Sequence, residues 1–130
     1  MKYLVDSDWI IDCLRGDQKA AAVLLGVVRE GLAVSIISVA EIYEGAYGLP
    51  DSAAHMQTLR SFLRAFTPLT VSDSIAERFA QLRAKLRQEG RPIADFDLLI
   101  AATALEHGLA LITRNERHFR RIEGLELYSG

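Results

Sequence analysis

With 130 residues, half of them hydrophobic, the chain holds enough apolar material for one core, and a single domain spanning residues 1–130 is expected. A net charge of −2, from 15 Lys/Arg against 17 Asp/Glu, excludes a uniformly basic nucleic-acid coat, and the lone Cys13 excludes an intrachain disulfide and argues against a thiolate metal site. The longest apolar runs, 20–28 and 98–105, fall short of the roughly 18 residues of a membrane span, and Met1 to Val5 runs into Asp6 without a leader pattern, so a cytoplasmic protein starting at Met1 is expected.

Lys2 to Val5 predicts a short strand, after which Asp6 or Ser7 caps a helix carrying Trp9, Ile10, Cys13 and Leu14 on one side until Gly16. Alanine and leucine make Gln18 to Arg29 helical. Gly31 ends that helix, and Leu32 to Ile37 is a β-branched run suited to a buried strand. Ser38 then caps a helix holding Glu41, Ile42 and Tyr43. Leu49-Pro50-Asp51 breaks the chain before a helix from about Ser52 to Phe66, whose Met56, Leu59, Phe62 and Leu63 recur at helical spacing.

Pro68 to Val71 predicts a third strand, and Ser74 with Glu77 a capping box for a long amphipathic helix ending at Gly90. Gly90-Arg91-Pro92 forces a turn. A helix from Asp95 to His107 follows and is closed by Gly108; Leu109 to Thr113 predicts a fourth strand and Leu125 to Tyr128 a short edge strand. Strands that alternate with helices and are apolar on both faces imply an α/β fold, with a parallel sheet of four to five strands covered on both sides.

In open α/β sheets the functional crevice lies beyond the carboxyl ends of the strands. The first strand delivers Asp6 and Asp8 there, the second leads to Glu41, and the fourth delivers Thr113, Arg114 and Asn115. Asp95 and Asp97 open the helix that feeds the fourth strand. On local grounds they read as caps, because acids in a first turn suit the positive end of the helix dipole, and Asp95 is the better N-cap of the two. Asp97, one turn in, faces the crevice. Several carboxylates at one edge repel by several kcal/mol per pair at contact, by order of magnitude, and a hard divalent cation, Mg²⁺ or Mn²⁺, is the natural compensation where no cysteine or histidine cluster competes.

The basic residues are concentrated late in the chain: residues 78–130 hold nine Lys/Arg against seven Asp/Glu, and residues 1–77 six against ten. Arg114, Arg117, Arg120 and Arg121 form the densest cluster and are candidate phosphate contacts, with a solvated basic face as the alternative.

Four blocks, VDSDWIID, SVAEIYEGA, DFDLLIAATAL and GLALITRNERHF with RIEGLELY behind it, resemble in order those of PIN-domain proteins of the VapC toxin type. The resemblance implies a three-layer α/β/α fold and an endoribonuclease that uses Mg²⁺ or Mn²⁺ and is held inactive by a VapB-type antitoxin. It matches Asp6, Glu41 and Asp97 to the family's three acids and Asn115 to a fourth position that is often aspartate. Asp8 stands where many relatives carry asparagine, and His118 where many carry aspartate. Asp8 either restores the missing charge or solvates the helix start, and Thr113 and Asn115 either order a metal-bound water or phosphate oxygen, or Asn115 caps the turn after the strand.

Asp12 and Glu44 lie one helical turn beyond Asp8 and Glu41. Asp12 reads first as helix-face solvation, Trp9, Tyr43 and Tyr47 as interhelical packing, and His118 as a weak general-base candidate because no second histidine stands near. Exposed apolar helices predict a two-fold homodimer and a groove for an antitoxin helix. Two rivals remain. One is a non-catalytic RNA-binding module. The other is an aspartyl phosphoacceptor domain, which needs a late lysine, and none follows Lys85.

Overall fold

The computed structural model describes residues 1–130. Its elements are β1 (Tyr3–Val5), α1 (Ser7–Leu14), α2 (Gln18–Val27), β2 (Leu32–Ser35), α3 (Ile36–Tyr47), α4 (Ser52–Leu63), β3 (Phe66–Leu69), α5 (Asp73–Gln88), α6 (Asp95–His107), β4 (Ala110–Ile112) and α7 (Glu116–Phe119), with a 3-10 turn at Val28–Glu30. The four strands are parallel in the order β3-β2-β1-β4, with Leu4 opposite Ala33 on one side and Leu111 on the other.

Alternation along the strands divides the core. Tyr3, Val5, Leu32, Val34 and Ile112 face α1 to α4, where Ile10, Ile42, Met56 and Leu59 meet them. Leu4, Ala33 and Leu111 face the other way and pack with Leu86, Leu98, Ile100, Ala101, Phe119 and Ile122. The result is the three-layer α/β/α sandwich expected from strands apolar on both faces.

Helix α6 has the predicted bounds, and Leu98, Ile100, Ala101, Ala102, Thr103 and Ala104 are buried around its whole circumference. A helix apolar on every side is a core helix; its one buried hydroxyl, Thr103 Oγ1, donates to Leu99 O at 2.7 Å. Gly108 closes it in the left-handed region at φ 65°, a conformation cheap only without a Cβ. That reversal sends β4 back alongside α6 and places the N-terminus of α6 at the crevice edge.

Four expectations shift. β2 ends at Ser35, whose Oγ accepts from Ile37 N at 3.1 Å, so Ser35 and not Ser38 caps α3. Ile36 and Ile37 are β-branched, yet they lie beyond the last strand pairing, and position in the sheet overrides their propensity. Ser72, not Ser74, caps α5 through Ile75 N at 3.2 Å.

α4 stops at Leu63, and β3 begins at Phe66, two residues before Pro68. Phe66 and Leu69 are buried while Thr67 and Pro68 are exposed; a proline without an N–H is tolerated because β3 is an edge strand. Finally, Leu125 to Tyr128 contributes a single parallel bridge, Leu127 to Leu111, in place of a strand.

Candidate functional site

Four chain segments meet where β1 and β4 end. Asp6 follows β1 directly, its N–H donating to Ile112 O at 2.9 Å, which pins it to the end of β4. Asp6 is 6 % exposed. Oδ1 accepts from Ser7 N at 2.8 Å, capping α1, and Oδ2 accepts from Thr113 Oγ1 at 2.8 Å. Asp8 Oδ2 accepts from Arg114 N at 3.1 Å and lies 3.4 Å from Thr113 Oγ1, while its Oδ1 is buried without a partner.

Glu41 reaches the same edge from α3, where Oε1 accepts from Ser7 Oγ at 3.2 Å. Asp97, in the first turn of α6, accepts from Asn115 Nδ2 at 3.3 Å. Asn115 Nδ2 also lies 3.0 Å from His118 Nδ1, which is 3.7 Å from Asp97 Oδ2.

The electrostatics of this edge are one-sided. Burial, then the neighbouring Asp8, pushes the Asp6 carboxyl up to about 7, against the opposing bonds from Thr113 and Ser7. Burial likewise raises Asp8 and Glu41 above the ordinary carboxylate range, and Asp97 adds to the rise at Glu41. No lysine or arginine side chain pairs with Asp6, Asp8, Glu41 or Asp97. Nor do three of these side chains close into a ready coordination cage. Each is held instead by its own N–H or O–H donor, as expected of like charges in a poorly solvated place with nothing positive between them. The donor set is all oxygen apart from one imidazole, and it includes an orphaned buried oxygen on Asp8; that chemistry fits a hard divalent cation.

Other candidates lie elsewhere. Asp95 is the first residue inside α6, and the cap position belongs to Ala94, without a side-chain bond. The Asp95 carboxylate pairs with Arg83 Nε at 2.9 Å across to α5, a partner twelve residues back that outcompetes local capping. The Arg114 guanidinium is shared between Asp12 Oδ2 at 3.0 Å and Asp17 Oδ2 at 3.3 Å and lies 4.1 Å from the Trp9 ring centroid, so Asp12 is an ion-pair partner and not merely a solvated acid. Arg120 pairs with Glu116 at 3.0 Å along α7, whereas Arg117 and Arg121 have no acidic partner.

Ser7 joins Asp6 to Glu41, a role with no local signal because its partner is 34 residues away. His118 stands closer to the acids than its isolation among histidines suggests. Its spacing of three from Asn115 was the available clue.

A parallel sheet in the order β3-β2-β1-β4 with an acidic edge at its carboxyl end is the architecture of a PIN domain. Residues 3–125 match the model of that family, and the chain belongs to it. It is 31% identical over 123 residues to Ribonuclease VapC19 of Mycobacterium tuberculosis, covering 95% of this chain and 96% of that relative. It is 25% identical over 125 residues to the tRNA(fMet)-specific endonuclease VapC of Shigella flexneri, covering 96% and 95%. The fold superposes on a chain in the crystal structure of VapBC2 from Rickettsia felis bound to a DNA fragment from their promoter, with a TM-score of 0.91, 25% identity and 98% of each chain covered. Within the PIN domains it is a VapC-type protein.

Proposed function

We propose that the chain is a Mg²⁺- or Mn²⁺-dependent endoribonuclease and the toxin of a toxin–antitoxin pair, working in the cytoplasm. The observation that carries this reading is the edge formed by Asp6, Asp8, Glu41 and Asp97, where burial raises three carboxyls and no basic side chain compensates. Asp6, Glu41 and Asp97 hold the cation in this reading, and Asn115 is the neutral fourth member. The cation supplies, when bound, a water acidic enough to attack near neutral pH and positive charge against the phosphate.

The chain's own residues do the rest. Thr113 fixes the Asp6 carboxylate by its 2.8 Å bond, and Ser7 ties Glu41 to the same corner. Asn115 orients Asp97 through one amide hydrogen, and the same Nδ2 lies 3.0 Å from His118 Nδ1, which keeps the imidazole beside the acids. Arg117 and Arg121 are left to meet the RNA backbone.

The antitoxin half of the reading is supported by the likeness to VapBC2 and by a cleft of about 350 Å³ between α1, α3 and α4. Ile11, Leu14, Ile42, Ala46 and Leu59 line it and suit the apolar face of a helix, with a basic side chain of the same partner reaching the acids. A two-fold homodimer would cover other exposed apolar residues, among them Ile36 and Phe96. No helix is long and apolar enough to cross a membrane.

The decisive experiment is incubation of the purified chain with structured and single-stranded RNAs in Mn²⁺, Mg²⁺ or EDTA. Cleavage is expected only with metal and should leave 5′-phosphate ends. RNA cut equally well in EDTA would sink the mechanism, and RNA bound but left intact in both metals would leave a non-catalytic binding module.

A further inference from the structure

The loop after β4 touches three of the four carboxylates at once. Thr113 Oγ1 serves Asp6 at 2.8 Å and Asp8 at 3.4 Å, Arg114 N serves Asp8 at 3.1 Å, and Asn115 Nδ2 serves Asp97 at 3.3 Å. The Thr113 hydroxyl in turn accepts from Asn115 N at 3.1 Å, which leaves its own hydrogen for the acids. Something must hold this loop against α1, because it belongs to neither β4 nor α7 and its partners in α1 lie more than 100 residues away in sequence.

The Arg114 side chain is that tether. Its planar guanidinium covers the Trp9 ring at 4.1 Å, with Nε 3.0 Å from Asp12 and Nη2 3.3 Å from Asp17. All three partners are themselves fixed: Asp12 lies within α1, Asp17 Oδ1 caps α2 through Ala20 N at 3.0 Å, and Trp9 Nε1 donates to Ala20 O at 3.3 Å. Each ion pair is partly exposed and weak alone. Two carboxylates and an indole face around one rigid fork make an arrangement that an ammonium cannot reproduce.

We propose that Arg114 is a positioning residue: the clamp it forms with Trp9, Asp12 and Asp17 holds the 113–115 loop where Thr113 and Asn115 orient the acids, and thereby sets cation affinity. In this role it is not an RNA contact. The inference rests on the metal-dependent reading of the same site. Hydrogen-bond partners of ligating carboxylates typically change metal affinity by about 10- to 100-fold when lost, and releasing the loop disturbs several of them at once.

The test uses the full chain and three variants, Arg114→Lys, Asp12→Asn and Asp17→Asn. Mn²⁺ affinity is read without RNA from loss of the free-ion EPR signal, RNA affinity in EDTA from anisotropy of a labelled single strand, and cleavage as kcat and KM. Trp9 is the sole tryptophan, so its emission reports the clamp directly.

The clamp predicts that Arg114→Lys and Asp12→Asn shift Trp9 emission, weaken Mn²⁺ binding by about tenfold and lower kcat. RNA affinity in EDTA should hold for Arg114→Lys and hold or tighten for Asp12→Asn, because removing an acid cannot weaken a phosphate contact by charge. Asp17→Asn should show a smaller effect of the same sign. Unchanged Mn²⁺ affinity in Arg114→Lys and Asp12→Asn would overturn the proposal, whatever happens to RNA binding. A wild-type chain that cuts no RNA while Arg114→Lys still weakens Mn²⁺ binding would remove the nuclease reading and leave the clamp standing. A wild-type chain that binds no Mn²⁺ would remove both.

Discussion

Asp12 and Asp17, toward the far end of α1 and just beyond it, share the Arg114 guanidinium at 3.0 and 3.3 Å, whereas Asp6 and Asp8, at its start, have only N–H and O–H donors within reach. The residue type is the same, and one short stretch of chain carries both pairs. At one end the charge is answered from within the protein, and those acids serve the fold. At the other it is left open, although Asp6 is nearly fully buried and desolvation has already driven its carboxyl to about 7. A buried carboxylate without a counter-charge destabilises the molecule unless something binds it. That difference separates a structural acid from a ligand better than the presence of aspartate does.

The comparison breaks most visibly at Asp6. Asp6→Asn should lower RNA cleavage by a factor on the order of 10² to 10³ or more, the scale on which removal of one charge-organising group at a reacting centre is felt. The folded state should survive, because the amide oxygen can still accept from Ser7 N while the amide nitrogen, in place of Oδ2, donates to Thr113 Oγ1. Retained cleavage in a folded Asp6→Asn protein would place the chemistry elsewhere.

A smaller effect concerns stability. The unfolded Asp6 releases its proton near pH 4, and the folded one holds it until about pH 7. Between those values the folded state binds more protons, so stability falls as pH rises and the loss is complete above about pH 7; the raised carboxyls of Asp8 and Glu41 act in the same direction. For Asp6 the loss is on the order of 2–4 kcal/mol. In thermal melts of metal-free protein, Tm should therefore be lower at pH 8 than at pH 5. Mn²⁺ should restore much of the difference, and Asp6→Asn should raise Tm at pH 8 by roughly 5–10 °C. A metal-free Tm that climbs from pH 5 to pH 8 would contradict the account of this edge.

The smallest expected effect sharpens the comparison on the basic side. Arg114 and Arg120 have acidic partners within the chain, whereas Arg117 and Arg121 have none. Arg117→Ala with Arg121→Ala should weaken RNA binding several-fold and reduce the salt slope of log K by about 1.4, as two lost phosphate contacts on a single strand imply. An unchanged slope would return both residues to the solvated surface.

The sequence carried the alternation of strands and helices, the bounds of α6, the parallel three-layer sheet and the group of acids at the strand ends. All of these are written in local periodicity, glycine placement and the residue that ends each strand. The choice between Ser35 and Ser38, between Ser72 and Ser74, and the start of β3 at Phe66 were not legible, because several side chains could cap or pair and the packing of neighbours selected one. The same limit applied to charge. Asp95 looked like a cap until Arg83 was beside it, and Arg114 looked like a free cation until Asp12 and Asp17, 102 and 97 residues away, closed around it. Local sequence determines which residues can carry a charge to the crevice. Only the tertiary structure decides which of those charges is already neutralised, because a Coulomb interaction depends on distance and burial and not on separation along the chain.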